Sequence, residues 1–230
     1  MSTKTIAGLF LIATPIWFTV WFSLLGARFD YPAILRRPPD EVLSRFRDGG
    51  TSLILMWWAF ALSGGLLIVI AVLLARLFDR VAPTLALMAL VAGVLAGLVQ
   101  VLGLLRWVYL VPALARWHGD PDADHATKAA TIVAYRAFHH YLGVGVGEHL
   151  GYALTGAWTI LVGLAVLQSQ VLAAWLAWVA IVIGAALVVC SLEFLGPNEE
   201  RGWRLAGKAV PVVYVAWSLW LFALGVSLVV

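Results

Sequence analysis

Six stretches of this chain are long and apolar enough to cross a lipid bilayer. A membrane-spanning helix needs about 20 consecutive apolar residues. None of the six shows the period-two alternation of a barrel strand, so helices are expected to satisfy their backbone hydrogen bonds. The sequence therefore predicts an all-α fold, a polytopic membrane helix bundle forming one domain over residues 1–230. The six predicted spans are Thr5–Leu25, Thr51–Ala75, Pro83–Leu105, His139–Leu167, Val171–Leu192 and Ala209–Val229.

The composition supports a membrane protein. The chain is 63% hydrophobic and 12% charged, whereas soluble domains are near half apolar and a quarter charged. The net charge of +3 comes from arginines in the connections and indicates no basic face for nucleic acid, so the lipid bilayer is the predicted partner. The first apolar run is too long and too rich in tryptophan for a cleaved signal peptide, and it is interpreted as the first span.

The connection after the first span predicts a short helix on the membrane surface. Pro38-Pro39 followed by Asp40-Glu41 is typical of a helix start. Val42, Leu43 and Phe46 would share one side of that helix, which is expected to lie on the membrane surface.

The basic residues predict how the chain is oriented. The first, third and fifth connections hold most of them, and the opposite side holds Lys4, Arg76 and Arg80. By the positive-inside rule, the first group is cytoplasmic and both termini lie on the outer side. A large, basic cytoplasmic face is also where a protein partner is expected to bind. The residues assigned to the cytoplasm are Arg28, Arg36, Arg37, Arg45, Arg47, Arg116, Lys128, Arg201, Arg204 and Lys208.

Residues 138–152, "FHHYLGVGVGEHLGY", concentrate ionisable groups in an apolar span. On an α-helical wheel, His139, His140, Glu148 and His149 spread around the whole circumference, so one metal ion could not bind all four. The sequence therefore predicts no metal site. Haem stays an open alternative, because a histidine of this span could pair with a methionine of another, and Met56 and Met88 are the methionines available.

The same span carries a stripe of small residues. Their four-residue spacing favours close packing against another helix, and Gly93 and Gly97 of the third span offer a matching notch. The alternative is that "GVGVG" unwinds the helix and exposes backbone groups to a ligand. The stripe consists of Gly143, Gly147, Gly151, Thr155, Thr159 and Gly163.

Glu148 is the central residue of a predicted intramembrane polar site. A carboxylate at membrane depth either pairs with a cation or keeps its proton. Arg106 at the end of the third span is the expected partner, at a similar depth; otherwise Arg106 lies at the interface and Glu148 bonds to Tyr152, Thr155 or water. The predicted site comprises Glu148, His149, Arg106, Tyr152, His140 and His139.

Three segments together resemble the bacterial integral membrane family catalogued as domain of unknown function 4386. They are "YPAILRRPPDEVL", "RWVYLVPALA" and "YLGVGVGEHLGYALTGAWT". The resemblance covers nearly the whole chain and implies a six-span fold in a bacterial cell (inner) membrane, without implying a mechanism. The positions that carry it are Tyr31, Pro32, Arg106, Trp107, Pro112, Glu148, His149 and Tyr152.

Three functions follow as hypotheses. The absence of a nucleophile–base pair, a phosphate loop and a metal cluster favours a non-enzymatic accessory or regulatory component. The intramembrane acid supports a small proton-linked transporter that uses Glu148 and His149. A haem-binding membrane protein or membrane enzyme is the third hypothesis, and otherwise no cofactor is predicted.

Overall fold

The computed structural model describes residues 2–230, and within them the chain is helical with no strand. Two short 3-10 turns, Ala33–Arg36 and Gly196–Asn198, and two π-helical segments, Arg106–Leu110 and His139–Leu150, join the α-helices. The predicted all-α helix bundle is confirmed. The α-helices are α1 Thr3–Phe29, α2 Pro39–Phe78, α3 Pro83–Leu105, α4 Val111–His118, α5 His125–Phe138, α6 Gly151–Ser169, α7 Ala174–Cys190 and α8 Arg204–Val229.

Five helices are long and apolar enough to cross a membrane. All five extend beyond the predicted spans. Two of them do so because α3 continues through its π-helical turn into α4, and α5 continues through the second π segment into α6. The fifth predicted span corresponds to α7, which has only 17 residues. At 1.5 Å per residue it is about 25 Å long, slightly less than the apolar thickness of a bilayer.

The start of α2 is where the proline pair predicted a helix, but its apolar side does not face a membrane surface. Val42, Leu43 and Phe46 are all buried, at 0%, 0% and 2% exposure. They belong to a core cluster that includes Trp57 and Trp107, whose rings stack at 4.7 Å. The three residues thus share one side of the helix, as predicted, and α4 and α5 fold back and supply side chains that cover this side, so it packs inside the bundle.

Glycine pairs let the main helices cross closely. A Cβ on Gly64 of α2 would lie 2.7 Å from the carbonyl oxygen of Gly97, and one on Gly156 of α6 would lie 2.5 Å from that of Gly184. Gly97 therefore packs against α2, and the prediction that it faces the glycine stripe of the fourth span is wrong. Gly103, nearer the end of α3, fills that place: a Cβ there would lie 2.7 Å from the Cα of Gly147.

Helices α1 and α8 cross closely at one end and enclose a cavity at the other. A Cβ on Gly8 would lie 2.8 Å from the carbonyl oxygen of Gly225. Towards the end of α1 and the start of α8 the helices are separated by aromatic rings, with Phe18 and Tyr214 stacked at 6.1 Å. Residues from both helices line the cavity there.

Candidate functional site

A cavity of about 430 Å³ lies between α1, α2, α3, α8 and the π segment His139–Leu150. Small-molecule sites usually measure about 300–1,000 Å³, so this cavity is large enough for a ligand. Its lining is Phe18, Thr19, Phe22, Tyr31, Pro32, Leu35, Phe60, Ser63, Gln100, Gly103, Leu104, Arg106, Trp107, Gly143, Gly147, Glu148, Tyr152, Val210, Pro211, Tyr214, Val215, Ser218 and Leu219.

The outer wall of the cavity is one stripe of α8. Its lining residues come in pairs one helical turn apart, from Val210 to Leu219, which corresponds to about 13 Å along the helix. Val215 and Leu219 are also 61% and 66% exposed. Together with the exposed Thr19 of α1, they mark a mouth between α1 and α8 on the side of the bundle that faces lipid.

The two charged residues of the cavity lining come from the two π-helical segments. Arg106 begins the first π segment, and Glu148 lies in the second. π-Helical turns are rare in proteins, and those that do occur are often located at functional sites. The second segment remains helical through its glycines, so neither a regular α-helix nor an unwound stretch describes it.

Arg106 is a buried cation without an acidic partner among the described residues. The residue is 7% exposed. Its Nη1 donates to the carbonyl of Gly103 in the preceding turn, whereas its Nε has no hydrogen-bond partner. The guanidinium lies 5.2 Å from the Trp107 ring and beside Gly143, where a Cβ would come within 2.7 Å of Nη2.

Glu148 pairs with an arginine that sequence analysis had placed in a connection. The Nη2 of Arg36 lies 3.7 Å from the Glu148 carboxylate and 3.6 Å from that of Glu193. The predicted Arg106–Glu148 ion pair is therefore wrong, since the turn Ala33–Arg36 brings a different cation to the acid. Burial raises the pKa of Glu193, and the nearby charge of Arg36 opposes that shift.

Neutral polar groups complete this end of the cavity. Gln100 Nε2 donates to the hydroxyl of Thr155 at 2.9 Å, and Tyr152 packs edge-on against Tyr214 at 5.4 Å. Tyr31 packs against Trp57 at 5.1 Å. Desolvation raises the pKa of Tyr31 to about 12, and the negative charge of Glu148 acts in the same direction. Tyr31 is therefore a neutral hydroxyl at physiological pH.

A second cavity of about 230 Å³ lies on the other side of Glu148. Its lining includes His140, His149 and Glu193, together with Glu148 and Tyr152, which also line the first cavity. Glu148 and Tyr152 thus form part of the wall between the two cavities. His149 Nδ1 donates to the carbonyl oxygen of Ser191 at 2.8 Å, which ties this segment to the end of α7.

The two adjacent histidines, His139 and His140, have different surroundings. His139 stacks on Tyr135 at 5.4 Å and lines neither cavity. His140 faces the loop after α7, with Nε2 at 3.7 Å from the Glu199 carboxylate. Among the described residues, no three His, Cys, Asp or Glu side chains are grouped so that they could hold a metal ion.

The structure therefore groups five of the six predicted site residues around the two cavities. Arg36, Gln100 and Tyr214 also belong to the site but were not predicted from the sequence. Tyr31 was noted only because it carries the family resemblance. Gln100, a polar residue inside a predicted span, was a signal that could have been used. Tyr214 had no such signal, because aromatic residues are common throughout the spans.

Comparisons with known proteins agree with the sequence motifs. A family model described as Domain of unknown function (DUF4386) matches residues 6–229. No curated protein and no solved structure matches the chain. The match includes the three motifs that supply Tyr31, Arg106, Glu148 and Tyr152 to the cavity lining. The chain belongs to this family, Domain of unknown function (DUF4386), and its apolar helices make it a membrane protein.

Proposed function

We propose that this protein is a non-enzymatic component of the bacterial inner membrane that binds an amphiphilic small molecule from the bilayer. The observation that carries this proposal is the cavity between α1 and α8. Its walls are mostly aromatic and aliphatic, its mouth includes the exposed Val215 and Leu219, and its inner end holds Arg106 and Glu148. An apolar cleft with a few convergent polar groups is the usual form of a ligand site.

The position of the polar end supports the proposed accessory or regulatory role. Arg36 and Arg37 lie in the connection between α1 and α2, and Arg36 contacts the acid that lines the cavity. Ligand binding would be transmitted to that connection, where we expect a protein partner on the cytoplasmic face. A pull-down with and without the bound lipid-like ligand would test this step, and equal partner recovery in both would contradict it.

A photoactivatable fatty acid with a diazirine in its chain tests the cleft. In lipid nanodiscs we expect peptide mapping to place most crosslinks on the facing residues of α1 and α8. Ser218→Trp fills the cavity and should remove these crosslinks. Val212→Trp is the matched control, because Val212 is 69% exposed on the same helix and does not line the cavity. Crosslinks that persist in Ser218→Trp would contradict the proposal.

A second candidate function, a small proton-linked transporter, is supported by the position of Glu148 between two cavities. A carboxylate reached from both sides could exchange protons between them, with His149 and His140 along the second cavity. Proteoliposomes with an encapsulated pH dye would test this. Glu148→Gln should abolish proton uptake, whereas the control Glu200→Gln, at an exposed acid of the loop after α7 that lines neither cavity, should not.

Haem binding stays a prediction, and the haem would have to lie outside the main cavity. The described residues that line the main cavity include no histidine and no methionine, so axial ligation by His and Met would need another place in the bundle. An absorption spectrum of the purified protein tests it, since bound haem gives a strong Soret band.

A further inference from the structure

We infer that the cleft selects amphiphiles with an anionic head, a carboxylate or a phosphate, and that Arg106 binds this head. The inference rests on the proposed function, since it names the chemistry of the ligand that enters between α1 and α8. It is carried by the charges and hydrogen bonds at the inner end of the cavity.

Charge is unevenly distributed at the inner end of the cavity. Both acids near the cavity, Glu148 and Glu193, share the guanidinium of Arg36. Arg106 is left as a buried cation with no ion pair of its own among the described residues, since Glu148, the acid whose charge acts most strongly on it, pairs with Arg36. A buried charge without a counter-ion is costly, more so at membrane depth. An anionic ligand would supply that counter-ion.

Several N–H donors of Arg106 remain free. Arginine has five N–H donors in a planar fork that matches carboxylate and phosphate oxygens. One nitrogen, Nη1, is held by the Gly103 carbonyl, which fixes the orientation of the guanidinium. Nε has no partner. Nη2 packs against Gly143, where a Cβ would lie 2.7 Å away, and Arg106 itself lines the cavity.

A purely structural role for Arg106 explains less. Its contacts with the Gly103 carbonyl and the Trp107 ring would hold a helix turn, but both lie within four residues of Arg106 on its own helix. Neither contact provides a negative charge. A neutral side chain such as glutamine could make the carbonyl contact without a buried charge, so the structural role does not account for the choice of arginine.

The shape of the site also fits an amphiphile with an anionic head. The α8 stripe from Val210 to Leu219 leads from the polar end towards the mouth, opposite Phe18 and Phe22 of α1. The apolar part of the ligand would lie along this stripe, with its head at Arg106. Glu148 faces the same end, but its charge is opposed by Arg36 at 3.7 Å, so it does not exclude an anion from the Arg106 side.

Competition against radiolabelled oleate in detergent tests the inference. The competitors are unlabelled oleate, oleyl phosphate, oleyl alcohol with the same chain and no charge, and inorganic phosphate with no chain. We expect both anionic lipids to compete more strongly than oleyl alcohol by about tenfold or more. Arg106→Gln should bring that ratio close to one, and Arg106→Lys should keep part of it. Arg76→Gln, at a 75% exposed side chain, should leave it unchanged.

The outcomes separate the two proposals. If the wild-type protein binds neither oleate nor oleyl alcohol, the cleft function itself fails. If the wild-type protein binds both and Ser218→Trp blocks both, the cleft function stands. The inference then fails if the wild-type protein shows no preference for the anion, or if Arg106→Gln keeps that preference. If inorganic phosphate competes as well as oleyl phosphate, the ligand is a free anion and not an amphiphile. Oleyl alcohol binding verifies that Arg106→Gln is folded. If that variant does not fold, the wild-type ratio and Arg106→Lys decide.

Discussion

Arg36 joins two acids at the polar end of the cavity, and the strength of that link is set by its exposure. Its side chain is 48% exposed, whereas the Glu148 side chain is 16% exposed. Exposed or half-exposed pairs contribute about 0.2–1 kcal/mol, because water screens the charges and long side chains lose entropy. Arg36 therefore orients Glu148 more than it stabilises the fold.

A double-mutant cycle measures this link. Arg36→Ala and Glu148→Ala, alone and together, should show a coupling free energy of about 0.5–1 kcal/mol in thermal unfolding. Arg37→Ala is the control, since Arg37 is the neighbouring residue with similar exposure but pairs with Asp30 and Glu41. A coupling with Glu148 as large for Arg37 as for Arg36 would contradict the described pair.

At the scale of helices, neighbouring glycines of α2 have opposite roles. A Cβ on Gly64 would clash with the carbonyl of Gly97 and with Val101, whereas a Cβ on Gly65 would meet nothing within 4 Å. Gly64→Ala should destabilise the protein by about 1–3 kcal/mol, because the backbones of α2 and α3 must separate. Gly65→Ala should be neutral or stabilising by up to about 1 kcal/mol, because alanine favours helix. Thermal unfolding of both variants checks this, and similar losses would show that the two helices do not cross there.

The start of α5 gives a pH-dependent test at the same scale. Asp124 is its N-cap, and hydrogen bonds from the Thr127 hydroxyl and then the Thr127 backbone N–H lower the pKa of the Asp124 carboxyl. A lowered folded pKa means that the cap stabilises α5 above the ordinary pKa of aspartate and that this is lost as pH falls through the lowered value. The protection factors of the amides in the first turn of α5, measured against the intrinsic exchange rate at each pH, should therefore fall in acid.

Variants at Asp124 show whether its carboxylate is the group responsible for this acid response. Asp124→Ala should speed exchange in the first turn of α5 at neutral pH as well, because the cap is lost. Asp124→Asn keeps a capping oxygen that does not titrate. The amides of the first turn should therefore stay protected from exchange at neutral pH and in acid alike. An unchanged acid response in Asp124→Asn would mean that another group is responsible.

Across the whole molecule, local sequence signals predicted the elements better than their contacts. Pro38 and Pro39 predicted the start of α2, and the apolar runs predicted most of the spans, because these features depend on neighbouring residues and on bilayer thickness. The α-helical wheel placed Glu148 with 3.6 residues per turn, whereas the chain there is π-helical. Its partner was also missed, since Arg36 reaches it across more than 100 positions of the chain.

The sidedness of the bundle decides which leaflet the polar end of the cavity faces. Arg36, and with it the polar end of the cavity, belongs to the connection between α1 and α2, which we propose faces the cytoplasm by the positive-inside rule. Cysteines replacing Arg45 in the first turns of α2, next to that connection, and Arg80 on the opposite side test this in a Cys190→Ser background, where no native thiol remains. A membrane-impermeant maleimide should label Arg80→Cys in intact cells and Arg45→Cys only after permeabilisation. The reverse pattern would put Arg106 and its proposed anion near the outer leaflet, so a ligand would enter from that side.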